Sequence, residues 1–414
     1  MRRTLMKRSQ TIFYGLFLFS LLFSAVYLAA RRGAGLEGFI FDGGGNLFGD
    51  FINNLHYPTH EGGPYFDSVW ATFPPLAYTF YYLFNVAFTR ANYAYELLAY
   101  TMITAATAVL MLYAVQRIFE RYRGREGAAG QGAALCLCLL LSGVSVFTIE
   151  RGNSVFNVMV ALLFAVYLRD SDRAWQRELA LVLIAAAAGF KVYPCLLGVL
   201  YLLERRWREA VRLVIYGAVL FFVPFAWFGG MDGFWRFLQN HQEIHSAYRT
   251  DYLTSIPSAL AFLGAEFGWN AGATVTAGGV LSLLYGAAAL VCVCLSKKLW
   301  QRCLLLFGVA TLVPGWSCEY MAIYMAVPLS LFMAEEGGRM NGMNALYMAL
   351  FGGVFILLPF GADGLELHSG VSWNMLVCFA CLYLIQLAAM ADALAAFRRN
   401  KKQIAAAPLK GGME

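Results

Sequence analysis

Charge is what this chain has least of. Only 14% of its 414 residues are Asp, Glu, Lys or Arg, against 60% hydrophobic residues, whereas a soluble domain carries about 25% charged. A water-soluble surface cannot be built from so few ions, and the mean hydropathy of +0.59 agrees. Proline-rich or Ser-rich linkers are missing, which argues against a string of soluble domains. The roughly ten-residue alternation of an outer-membrane barrel is missing too. No internal repeat is visible, which counts against transporters assembled from inverted repeats. Nor is there a coherent basic surface, so nucleic acid is not an expected partner.

What remains is a chain of long apolar runs. At about 20 apolar residues per crossing there is room for roughly a dozen spans. Helices are the expected form, because unpaired backbone groups in hydrocarbon cost several kcal/mol each. The runs lie near 11–30, 74–90, 93–117, 130–148, 154–168, 179–203, 210–228, 274–296, 303–316, 318–334, 343–360 and 371–395. The expected class is therefore an all-α polytopic membrane protein, with about 11–13 transmembrane or partial helices. One domain covers 1–400, and 401–414 forms a cytoplasmic tail. The basic start MRRTLMKRSQ precedes an apolar run longer than a signal-peptide core, so it reads as a retained span despite the small residues at Ala29 and Ala30.

Lys and Arg gather in short connectors, at 121–126, 169–177, 204–209, 297–302 and 398–402, as cytoplasmic loops do. The later spans alternate well with this rule, but the first half does not. The run 179–203 has to leave and return, and 74–117 has to cross an odd number of times. Either some segments are re-entrant or one basic loop breaks the rule. Irregular backbone at membrane depth survives only against protein or a water-filled cavity, so the conflict points to a cavity. Two long connectors, 31–73 and 229–273, fall outside, and both are rich in aromatics, carboxylates, amides and His.

Nine cysteines lie almost all within apolar runs, including the pair Cys378 and Cys381; such residues are expected to be small buried hydrophobes rather than ligands. His241 and His245 sit one helical turn apart in HQEIH, but Gln242 stands where the zinc-protease signature needs Glu. A wall of an acceptor groove is the better expectation for Trp235, His241, His245 and Tyr248, with no metal. In the first connector Asp50, in GDFINNL, could cap a short helix or serve as a base toward an acceptor hydroxyl. Asn53 and Asn54 beside it could bind sugar hydroxyls or hold that carboxylate. Lys191 lies inside an apolar run, where an ionisable group is usually functional or snorkels to an interface. Arg151 could pair with Glu150 or meet a phosphate.

GDFINNL, PY at 64–65, FPPLAY at 73–78, RGNSVFN at 151–157, GFKVYPCLLGVLYLLERRWREA at 189–210 and PGWSCEYMAIYMAVPL at 314–329 together resemble glycosyltransferase family 87, over about residues 40–335. The resemblance implies a C-type (GT-C) membrane fold and transfer of a hexose, mannose being the best-known case. The donor it implies is a polyprenyl-phosphate sugar, with no cofactor, and the anomeric configuration inverts. It also implies a general-base Asp in the first outer loop, carried over to Asp50 with Asp42 in reserve. Lys191 and Arg151 are then expected at the donor phosphate. Asn53, Asn54, Tyr65, Asn153, Asn157, His241, His245, Glu319 and Tyr320 are expected around the substrates. The chain departs from the family in two places. Arg151, Gly152 and Asn153 replace a Gly-Gln pattern, and Glu319 stands where many members have His. The expected location is the plasma or inner membrane, with an extracytoplasmic active site among membrane lipids. The expected acceptor is a glycolipid, glycan or protein. A transporter or flippase for a lipid-linked or small polar substrate is the alternative, and a membrane scaffold a weaker one.

Overall fold

The computed structural model describes residues 8–32, 47–246, 254–315, 317–359 and 371–406. Regular structure among them is helical. Among the described residues five helices are long and apolar enough to cross a bilayer unaided: Gln10–Ala30, Tyr93–Ala128, Trp207–Trp227, Ala271–Leu295 and Trp373–Lys401. Gln131–Leu140 and Gly143–Arg151 form a sixth crossing if counted together, bent by 59° at their junction. The other apolar helices are shorter. Val155–Leu168, with 14 residues, is about 21 Å long at 1.5 Å per residue, against roughly 30 Å of hydrocarbon. The helical class consistent with a polytopic membrane bundle therefore stands, with five or six helices of spanning length and several shorter ones among the described residues.

Burial separates the two kinds. Most of Val155–Leu168 is buried, so this helix, apolar all round, sits inside the protein. Only 22% of the apolar window of Trp207–Trp227 is buried, which leaves the rest for lipid. Side-chain amides join the helices. Asn157 donates to Thr107 at 2.6 Å, Gln386 to the Leu304 carbonyl at 3.0 Å, and Gln301 to the Ala389 carbonyl at 2.9 Å. Such bonds contribute roughly 0.6–2 kcal/mol each in a membrane.

The basic connectors converge at one end of the bundle. Arg121 donates to the Tyr167 carbonyl and Arg123 to those of Met333 and Ala334. Arg169 pairs with Glu204, Arg302 also reaches Glu204, and Lys298 pairs with Glu336 at 3.0 Å. The Arg169–Glu204 pair settles the 179–203 conflict physically. Ala174–Phe190 ascends from this end and stops at Lys191, whose backbone is extended (φ −145°, ψ 126°). The chain then returns through Tyr193–Leu203 to Glu204. Both ends of the excursion are thus clasped together, and it is a hairpin that leaves and returns to one end of the bundle.

The 74–90 run is likewise not a span. Pro75–Phe84 passes into a π turn at Asn85–Thr89. Asn85 fills the broken ladder: its amide donates to the Leu55 carbonyl at 2.9 Å and its oxygen accepts from Thr89 and Ala91. The two long connectors also differ from simple loops. Their described parts carry Gly49–His56, Gly230–Ser246 and Ile256–Glu266. Buried Phe51, Tyr65, Tyr78, Tyr81, Phe225 and Phe237 join the first two of these to the span ends as one aromatic cluster, whereas Ile256–Glu266 packs Phe262 into the main core. At the other terminus the last helix runs on to Ala406, into the expected tail.

Candidate active site

The end opposite the basic connectors is about 21 Å away along Val155–Leu168, and there two chain segments meet. Gly143–Arg151 terminates at Gly152, whose φ of 71° suits glycine. A Cβ at Gly152 would lie 2.9 Å from both the Phe48 carbonyl oxygen and the Phe51 Cβ. Glycine therefore lets the Gly49–His56 helix dock on this turn, and the Phe48 amide donates to the Glu150 carbonyl at 2.7 Å.

Docking aims Asp50 at the turn. Its carboxylate accepts from Arg151 Nη2 at 2.7 Å on one oxygen and from Asn153 Nδ2 at 2.6 Å on the other. Asn153 is itself fixed, because its side-chain oxygen accepts from the Val155 amide at 3.1 Å. The Asp50 side chain is 19% exposed, so it is shielded but reachable. A carboxylate has about four lone-pair sites, and the Arg151 and Asn153 bonds leave room for a further donor. Nearby, burial pushes the Tyr57 phenol above its ordinary range; a hydrogen bond from Ser68 opposes this and the Asp50 charge adds to it. Tyr57 thus stays a neutral hydroxyl there.

Beside this cluster lies a cavity of about 370 Å³. Lys191, His241, Ser317 and Tyr320 give it polar groups, and Phe73, Phe221, Leu238 and Met321 make most of its wall apolar. The Lys191 ammonium sits 3.5 Å from the Phe73 ring centroid and 5.7 Å from that of Tyr320. Ring faces at this distance suit the protonated form of a lysine. Asp50 is within electrostatic range of Lys191, as Tyr320 is of Arg151, so carboxylate and cavity adjoin. Tyr320 stacks on Phe147 at 6.2 Å, and His241 packs on Phe237 at 4.3 Å. Glu319 is buried just before Tyr320, at the start of a short 3-10 helix.

Of the residues singled out from sequence, Asp50, Arg151 and Asn153 form the carboxylate cluster, and Lys191, His241 and Tyr320 line the cavity. Others are engaged in holding the fold. The Asn54 amide donates to the Asp50 carbonyl. Tyr65 is fully buried and gives its hydroxyl to the Phe73 carbonyl at 2.9 Å, and Asn157 is bound to Thr107. Asn53 is exposed. Asp42 and the His245 side chain lie outside the described residues. Sequence reading missed Asn240, whose amide donates to the carbonyls of Tyr65, Ser68 and Ala71 at 3.0, 3.2 and 3.4 Å. It thereby pins the segment that leads to Phe73. Its one visible signal is an amide on the face that also carries Phe237 and Ile244.

In comparison with known proteins, the family model described as glycosyltransferase family 87 matches residues 71–328. That interval takes in Arg151, Lys191, His241 and Tyr320 and begins after Asp50, so it is narrower than the span from about 40 to 335 expected from motifs. The curated proteins include no match.

Proposed function

We propose, for a chain that belongs to glycosyltransferase family 87 and is thereby a membrane-embedded glycosyltransferase, that it moves a hexose from a polyprenyl-phosphate donor onto an acceptor hydroxyl with inversion. Family membership favours an enzyme over the transporter reading. The observation that carries the finer reading is the Asp50 carboxylate, held by Arg151 and Asn153 beside a cavity whose cation is Lys191.

In this reading the donor phosphate enters the cavity against Lys191, with the sugar toward Asp50. The acceptor hydroxyl attacks the anomeric carbon as the bond from that carbon to the phosphate oxygen breaks. The bonding pair leaves on polyprenyl phosphate, and the hydroxyl proton passes to Asp50. A fixed cation is worth most for a leaving group where water is excluded, and the apolar cavity wall supports that condition. Arg151 orients the carboxylate. Phe73, Tyr320 and His241 offer faces on which a sugar ring can stack. The site lies opposite the basic connectors, and the positive-inside rule supports an extracytoplasmic site in the plasma or inner membrane. A glycolipid, glycan or protein supplies the acceptor.

The test is sugar transfer by the full chain in proteoliposomes, supplied with polyprenyl-phosphate mannose or polyprenyl-phosphate glucose and a membrane acceptor extract. Wild type should release polyprenyl phosphate, and Asp50→Asn should lower turnover by about 10²–10⁴-fold, the usual worth of a general base. Equal turnover in the two would remove Asp50 from the reaction.

A further inference from the structure

The Gly230–Ser246 helix carries three rows of side chains at i, i+4 and i+7 spacing. Gly233, Phe237, Asn240 and Ile244 are buried against the protein. Asp232, Arg236, Gln239 and Glu243 make a polar row. Between them, on the outward side, Met231, Trp235 and Leu238 form an apolar strip over about the first two turns, spanning about 60° of the helix circumference and ending at exposed Gln242. Met231 is 62% exposed and Trp235 56%, which is unusual for such residues facing water.

The place of this helix in the chain says what covers the strip. It follows directly on the Trp207–Trp227 span, whose exposed Val219, Phe222, Val223 and Trp227 face outward as lipid-contacting residues do. Gly229 and Gly230, at φ 83° and 59°, turn the chain between the two helices in a conformation natural only to glycine. The strip thus follows in the chain on the exposed apolar surface of a span, across a glycine turn. Buried, apolar and polar sectors side by side are what a helix needs to touch protein, acyl chains and water at once. Leu238 belongs to two surfaces, since it borders the strip and also lines the cavity. Val192, on the cavity wall, is likewise 39% exposed, so the cavity has an apolar rim.

We propose that Gly230–Ser246 lies along the bilayer surface, with Met231, Trp235 and Leu238 seated among the lipids at the headgroup boundary. Its inner face roofs the cavity, and a lipid-borne substrate enters sideways from the leaflet past Leu238 and Val192. The route rests on the proposed reaction, whereas the seating of the helix does not.

Two measurements on the full chain separate these. In vesicles of phosphatidylethanolamine and phosphatidylglycerol brominated at shallow or deep acyl positions, the fluorescence that Trp235→Phe removes is expected to be quenched by shallow bromines most. No quenching of that component would overturn the seating. A component whose quenching falls as protein density rises would overturn it as well, because a second copy would then occupy the strip. In transfer assays, Trp235→Glu and Met231→Glu should lower kcat/KM for a long polyprenyl-phosphate mannose by about tenfold, as expected when charge replaces an interfacial anchor. A short, water-soluble isoprenyl-phosphate mannose should be used within about twofold of wild type, since it needs no passage from the leaflet. Equal losses with both donors would overturn lateral entry. Failure of wild type to use either donor would sink the proposed reaction and leave the quenching result to decide the seating.

Discussion

Replacing Arg151 with Gln, Asp50 with Asn, and both together measures what joins the two halves of the site. The pair is 2.7 Å long, with side chains 25% and 19% exposed for Arg151 and Asp50. Breaking a fully buried pair by removing one partner costs about 3–5 kcal/mol, because a charge is left uncompensated. With a fifth to a quarter of each side chain open to solvent, about 2 kcal/mol is the appropriate figure for Arg151→Gln. Asp50→Asn should cost about 1–2 kcal/mol, since Asn153 can still bond the amide oxygen. The double variant removes both charges and should cost less than the sum of the singles by about 2 kcal/mol. The assay is reversible denaturation of the four proteins in mixed micelles at one detergent ratio. A coupling below about 0.5 kcal/mol, the usual scatter of additivity, would show that the contact holds nothing together.

Lys191→Met should raise KM for the polyprenyl-phosphate donor by about tenfold or more, the worth of one charge-assisted hydrogen bond, while leaving stability within about 1–2 kcal/mol through loss of the Phe73 contact. An unchanged KM in steady-state kinetics would remove Lys191 from donor binding. Gly152→Ala places a methyl 2.9 Å from the Phe48 oxygen at φ 71° and should cost about 1–3 kcal/mol. Turnover should fall with it as Asp50 shifts, and a variant of wild-type stability would contradict the docking argument. Arg169→Met leaves Glu204, whose side chain is 30% exposed, with Arg302 and Arg206 only, and should cost about 1–2 kcal/mol by the same denaturation; a neutral result would show that the clasp is ornamental.

Much of the architecture was legible because hydrocarbon imposes simple rules. Scarce charge gave the class, and the clustering of Arg and Lys gave one end of the bundle. The misfit of 179–203 with the positive-inside rule located the hairpin that stops at Lys191, because a basic residue on each side of an apolar run forces a return. Segments that obey packing rather than lipid were less readable. The 74–90 run is apolar enough for a span, yet Asn85 closes it off with a π turn and ties it to Leu55. The connector 229–273 reads as a loop by its polarity, although its i, i+4, i+7 rows encode helix. Asp50 and Arg151 stand 101 positions apart, and no spacing in the chain foretells their contact. What brings them together is Gly152, a residue chosen for the absence of a side chain, and such a signal is silent in a single sequence.

The Arg169–Glu204 clasp makes the hairpin a ruler. Its foot is fixed by charge at one end of the bundle, so the altitude of Lys191 is set by the number of residues in Ala174–Phe190. One residue more or fewer would lift or lower the ammonium by about 1.5 Å and swing it through about 100°. Chain length in that limb is therefore as constrained as the identity of the lysine it carries.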